Sequence, residues 1–306
     1  MAPDGRPLIT SIFTRQNAVW IHDSHGDRAL SSQGYAEGTL PVFSRDGQRL
    51  YYLLRRDSLE SPAELWRADL AADKSEIVLP AVSILDFDIS EDEKDVVFST
   101  QPSGQPSQIW IAPLDRNAPP RRISASGEAL PRFGPHHDVL FRLTDGQANY
   151  VGTMAGDGTG RRKAFPHPIL NFENVSHDRR FVAADAVVPD VTPPPTVMFP
   201  LDGGPAAPIC GGLCAPAWSP DGRYLYLQIP DAADRGVNVR TAAIPIPPGQ
   251  TLPRFPPETV HDPTAWAKVR GVKIIEHINI APSPTPSVYA YIKPSVHANL
   301  FRIPLR

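Results

Sequence analysis

Ser219-Pro220-Asp221-Gly222-Arg223, running into Tyr224-Leu225-Tyr226-Leu227, reads as a tight turn followed by a strand. Proline presets φ, the aspartate side chain accepts from nearby amides, and glycine takes the position where φ is positive. The element recurs. Ala2-Pro3-Asp4-Gly5-Arg6 precedes Leu8-Ile9-Thr10-Ser11, Ser44-Arg45-Asp46-Gly47 precedes Leu50-Tyr51-Tyr52-Leu53, and Ser90-Glu91-Asp92 precedes Val96-Val97-Phe98-Ser99. Looser copies stand at Gly134-Pro135-His136-His137, Ser176-His177-Asp178-Arg179 and Ala281-Pro282-Ser283. Their second residues fall at 3, 45, 91, 135, 177, 220 and 282, so the period is 42 to 46 residues with one longer step of 62 before the last.

A second register runs in phase with the first. Val19-Trp20-Ile21-His22-Asp23, Leu65-Trp66-Arg67-Ala68-Asp69 and Ile109-Trp110-Ile111-Ala112 follow the turn strands, and Met198 and Phe301 hold the tryptophan slot in later units. That periodicity assigns the tryptophans to packing between units. A strand before each turn (Pro41-Val42-Phe43, Pro216-Ala217-Trp218) and a closing strand (Glu76-Ile77-Val78-Leu79) bring the count to four per unit. Four short strands in about 43 residues is the period of a β-propeller blade. The sequence therefore predicts an all-β chain, one propeller domain over 1–306, with units starting near 1, 35, 82, 126, 168, 211 and 259. Seven blades are expected, and six is the competing count.

Composition agrees. Thirty-six prolines in 306 residues is more than twice the usual ~5% and leaves little room for long helices, whereas 41% hydrophobic residues and a net charge of −3 suit a folded chain. Thirty basic against 33 acidic residues, with no basic block longer than Arg161-Arg162-Lys163, gives no footprint for nucleic acid. No apolar run approaches the ~18 residues of a membrane span.

The Ser-Pro-Asp-Gly-Arg-Tyr-Leu element and the Leu-Trp-x-Ala-Asp-Leu strand resemble the WD40-like (PD40) repeats of TolB-type propellers over essentially the whole chain. Ala298-Asn299-Leu300-Phe301-Arg302-Ile303-Pro304-Leu305 is similar to the end of large bacterial regulators in which such a propeller follows a winged-helix or Ser/Thr kinase domain. The resemblance implies a sensing or protein-binding part, and the chain is expected to be the C-terminal portion of a longer protein. It carries no binding residues over, because the repeat marks blade turns.

Site candidates are few. Glu37, Asp86, Glu128, Glu173 and Glu276 lie in or near the segments leading into the innermost strands and could present acids to a cation or basic ligand at the channel mouth, although they share no register with the turns. Cys210-Gly211-Gly212-Leu213-Cys214 can close a disulfide in an oxidising compartment, with two free thiols as the alternative. A periplasmic or other extracytoplasmic setting is the expectation. His22-x-x-His25 and His136-His137 fall at turns and read as solvated histidines, so no metal and no cofactor is expected. Trp266 lies in the long step before the last unit, where it could anchor a partner or pack the insertion down. No Gly-x-Ser-x-Gly elbow occurs. The functional expectation is a non-catalytic ligand- or protein-binding propeller. A polysaccharide lyase or glycosidase working at the channel mouth is the alternative.

Overall fold

A computed structural model describes residues 8–30, 37–56, 61–124, 127–230, 239–277 and 279–303, and the Ala2–Gly5 turn lies outside them. Nearly every element is a short antiparallel strand. The first complete sheet in chain order, blade 2, is Glu37–Phe43, Arg49–Arg55, Glu64–Asp69 and Lys74–Leu79. Blade 3 is Asp86–Ile89, Asp95–Thr100, Gln108–Pro113 and Arg121–Arg122, and blade 4 is Ala129–Phe133, Val139–Asp145, Ala148–Met154 and Arg162–Lys163. Blade 5 comprises Ile169–Val175, Phe181–Ala186, Thr196–Pro200 and Ala207–Cys210, and blade 6 Pro216–Trp218, Tyr224–Pro230, Val239–Pro245 and Lys273–Ile275. One pairing, Asn149 with Ile169, joins blades 4 and 5 into a continuous array.

The first and last repeats do not form sheets of their own. Leu8–Asp23 pairs along its length with Tyr289–Ile303, from His22 opposite Tyr289 to Leu8 opposite Ile303. With Gly26–Ala29 outside and Ala281–Pro282 inside, they make one four-stranded blade, here blade 1. The described strands sort into six four-stranded groups, the count that stood as the alternative to seven. The physical reason is the seam. Among the described residues the first repeat contributes the two outer strands of this blade and the last repeat the two inner ones.

Packing follows the same ring. Six buried clusters sit between successive blades: Ile21 and Ala290 of blade 1 against Leu50 and Tyr52 of blade 2, Leu53 against Phe98, Val97 against Phe141, Leu140 against Val182, Ala183 against Leu225, and Tyr226 against Tyr291. Second strands such as Leu50–Leu54 are buried on both faces because each blade is covered by a neighbour on either side. Trp20, Trp66 and Trp110 are half-buried members of these layers. The insertion before the seam holds the short helix Pro257–His261 and a 3-10 turn, Pro263–Lys268. Its Trp266 is fully buried, edge-on to Phe255, so it packs the insertion against blades 5 and 6.

The repeated turn has one geometry. In Ser44, Ser90, Ser176 and Ser219 the hydroxyl donates to the aspartate two residues on, at 2.6–2.8 Å, and accepts from the amide five residues on, at 2.9–3.0 Å. The fourth position has positive φ each time: Gly47 +72°, Glu93 +54°, Arg179 +59° and Gly222 +72°. Glycine suits this site in blades 2 and 6 for a second reason. A Cβ on Gly222 would come within 2.1–2.3 Å of the His177 ring of blade 5, and one on Gly47 within 2.8 Å of Pro284 of blade 1. Each turn thus seats its neighbour.

Gly222→Ala combines left-handed strain with overpacking and is expected to cost about 2–4 kcal/mol in urea unfolding. The double variant with His177→Ala should recover the overpacking part and leave the strain.

Candidate functional site: the central channel and its loop face

The inner strands of all six blades line a central cavity of about 280 Å³. At one end lie the Ser-x-Asp turns, the turn face. At the other lie the loops that enter the inner strands, the loop face.

Two arginines dominate the channel wall. Arg179, in the left-handed slot of the blade 5 turn, reaches across blade 4: its Nη1 donates to Asp88 Oδ2 of blade 3 at 3.0 Å and to the Phe133 carbonyl of blade 4 at 3.1 Å. Its Nη2 donates to the Ile89 carbonyl at 3.3 Å. Asp88 also accepts from the Phe133 amide at 2.8 Å, so one ion pair ties three consecutive blades. Toward the loop face Arg132 pairs with Asp86, both largely buried. Arg132 faces Glu173 as well. Glu173 stands at a bulge in its strand, where burial, reinforced by the Asp185 carboxylate, pushes it up to about 7. Asp185 is fully buried and accepts from Thr196 Oγ1 at 2.6 Å and Asn171 Nδ2 at 2.9 Å. Thr196 Oγ1 accepts in turn from the Cys214 amide at 3.1 Å. A polar chain therefore runs from the channel wall to the loop closed by the Cys210–Cys214 disulfide, whose Cα atoms are 6.3 Å apart.

The five sequence-selected acids do not converge on one spot. Asp86 lines the channel, and Glu173 meets it through Arg132. Glu128 is buried just outside the inner strand of blade 4 and accepts from Arg161 Nε at 2.7 Å. Glu276 follows the outermost strand of blade 6, exposed and paired with Arg240 at 3.1 Å. Glu37 begins the inner strand of blade 2, and its side chain lies outside the described part. Among the described residues no three His, Cys, Asp or Glu side chains gather as metal ligands. His136 and His137 are exposed, both with positive φ, at the turn-face rim. His22 lies far from them, bonded to Asp27 on blade 1.

The two faces differ in character. Charges on the turn face are tied to one another, as in Arg45 with Glu91, Arg49 with Glu93 and Arg223 with Asp221. Seven large apolar side chains are exposed among the described residues, and six of them, Leu85, Leu170, Val187, Val188, Val191 and Leu213, sit at strand ends or loops of the loop face. Five of these belong to adjoining segments: the Val187 amide donates to the Pro168 carbonyl, and the Thr196 amide to the Gly212 carbonyl.

No family model matches the sequence, and no curated protein does. Solved structures do. TolB from Acinetobacter baumannii aligns at a TM-score of 0.58 and 14% identity over 76% of this chain, taking in only 61% of its own length. The protein assigned as TolB from Agrobacterium tumefaciens aligns at 0.61 and 18% identity, over 92% of this chain and 99% of its own. The chain folds as a TolB-like β-propeller. An oligogalacturonate lyase in complex with manganese also superposes on this propeller, at a TM-score of 0.53 and 14% identity over 78% of this chain and 83% of its own.

The sequence of this propeller carries no local signal for Arg132 or Asp88, and only one for Arg179. Ser176-His177-Asp178-Arg179 puts arginine where Ser219-Pro220-Asp221-Gly222 puts glycine. A charged residue holding a left-handed position at a conformational cost of about 1 kcal/mol or more marks a side chain needed elsewhere.

Glu173 gives a signed pH prediction. Its folded-state pKa lies above the ordinary 4.5, so the folded protein holds the proton more tightly. That stabilising difference is fully present below the unfolded value and is lost as pH rises through about 7. Urea unfolding should show stability falling by about 1–2 kcal/mol across this window after allowance for solvent screening, and Glu173→Gln should flatten that slope.

Proposed function

We propose that this chain is a non-catalytic propeller that binds a protein partner through its loop face, as the sensing or scaffolding end of a larger bacterial regulator. The observation that supports this reading is the segregation of surface chemistry. The turn face satisfies its own charges, whereas the loop face leaves Leu170, Val187, Val188, Val191 and Leu213 exposed on adjoining segments. A contiguous exposed apolar area on a soluble fold is characteristic of an interaction site. The loops that carry it stand on a rigid base: the disulfide closes one, and the Gly211 amide donates to the Val260 carbonyl of the neighbouring helix at 2.6 Å. A preformed surface of this kind loses little freedom on binding.

The channel supports the same assignment. Its ionised groups are engaged with each other, Asp86 with Arg132 and Asp88 with Arg179, and act as struts of the ring. Catalysis of glycosidic cleavage calls for acid and base groups free to meet a substrate.

Co-purification with the partner from the source cell provides the test. Replacing Leu170, Val187, Val191 and Leu213 together by serine should abolish capture of the partner while leaving the thermal midpoint within a few degrees. Arg45→Ala with Arg223→Ala on the turn face should leave capture intact. The reverse pattern would overturn the assignment, and turnover of an oligogalacturonate by the wild-type chain would favour the lyase alternative.

A further inference from the structure

The seam blade carries a cluster that neither the repeat nor the channel explains. His22, on the N-terminal strand, stacks on Tyr289 of the C-terminal strand with ring centroids 4.7 Å apart and 18° between planes. Its Nδ1 lies 2.7 Å from Asp27 Oδ1, directly across the hairpin. The Tyr289 hydroxyl is 3.1 Å from His277 Nδ1, and the His277 ring lies 4.2 Å from that of Tyr291. His277 belongs to neither terminal strand. It sits in the connection from blade 6, where its carbonyl accepts from Thr241 Oγ1 at 2.7 Å. Five side chains therefore join three segments at the place where the ring is closed: the N-terminal hairpin, the C-terminal strand and the last connection.

Tyr289 and Tyr291 are buried, and Tyr226 of blade 6 packs against them, so the inner part of the cluster is poorly hydrated. His22 and Asp27 are more than a third exposed. The surrounding charges are few. Lys293 lies over Trp20 at 4.2 Å on the same strand as Tyr291. Asp23 is engaged by His25 and Arg28 on the hairpin, and Glu276 by Arg240 of blade 6. Burial holds His277 below the usual imidazole range, with Asp27 pulling the other way and His22 and Lys293 reinforcing the depression. Asp27, the nearest carboxylate, is already engaged by His22 at 2.7 Å, so it is not free to pair with a charged His277.

We propose that this cluster is a pH-responsive latch on ring closure: with the His277 imidazole neutral the seam is locked, and its protonation in mildly acidic conditions loosens the pairing of the two terminal strands. The sign follows from burial. A histidine that resists its proton when folded leaves stability intact above the unfolded imidazole pKa, and stability is lost as pH falls below that value toward the folded one. Asp27, held below its ordinary carboxylate value first by the His22 hydrogen bond, stays ionised throughout this window and does not reverse the sign. The latch acts on the fold itself and is independent of which partner the loop face takes.

Amide hydrogen exchange on the full chain at about pH 7.5 and about pH 5.5, corrected for intrinsic exchange, reads it directly. Protection of residues 18–23 and 289–293 should drop about tenfold at the lower pH, while Asp95–Thr100 of blade 3 changes little. The double variant His22→Gln with His277→Gln should show equal seam protection at both pH values. The proposal is overturned if seam protection in the wild-type chain is unchanged, if all blades lose protection together, or if the variant loses it as the wild type does. The wild-type comparison of seam with blade 3 decides the matter even where the double variant fails to fold.

Discussion

A ring of four-stranded blades is stable only if it closes, and here closure rests on the pairing of Leu8–Asp23 with Tyr289–Ile303. No blade buries its own faces. Each of the six inter-blade layers draws its side chains from two neighbouring sheets, so an open seam would expose Ile21, Ala290 and Leu50 on one side and Tyr226 and Tyr291 on the other. Burying a side chain of that size is worth about 1.5–3 kcal/mol, and opening a gap removes several at once. The strand pair has the largest sequence separation in the molecule. It is also where loop-closure entropy opposes folding most.

The turns and the arginines distribute that closure around the ring. The Ser-x-Asp turn fixes how each inner strand hands over to the second strand, and its positive-φ residue sets the spacing to the next blade: His177 against Gly222, Pro284 against Gly47. Where glycine is replaced, the side chain becomes a tie. Glu93 accepts from the Arg45 amide of blade 2 at 3.2 Å and pairs with Arg49, and Arg179 spans blades 3 to 5. The turn face is consequently self-contained. On the opposite face the loops diverge from the repeat, and there the exposed apolar residues and the disulfide-closed loop are found.

The period of the Ser-x-Asp-Gly turns and of the Trp20, Trp66 and Trp110 slot made the blade architecture legible in the sequence, because both signals are local. Blade number was not legible to the same degree. Two half-repeats at opposite ends look like two units until their strands are seen to share a sheet, and strand partners 267 to 295 residues apart, from His22 and Tyr289 to Leu8 and Ile303, leave no mark in local pattern. The channel was half legible. Asp86 and Glu173 were picked out as acids, but their partner Arg132 gives no local signal, and Arg179 gave one only through its misplaced position in the turn. Of the seam cluster, His22 was visible as half of a turn pair. Its actual neighbours, Tyr289 and His277, come from the far end of the chain.

Closure by the terminal strands can be tested directly by urea unfolding, followed by tryptophan fluorescence, of a chain truncated after Val288. The account predicts loss of the cooperative transition, and its return when a peptide spanning 289–303 is supplied in trans. A truncated chain that unfolds cooperatively at the same midpoint as the intact one would contradict it.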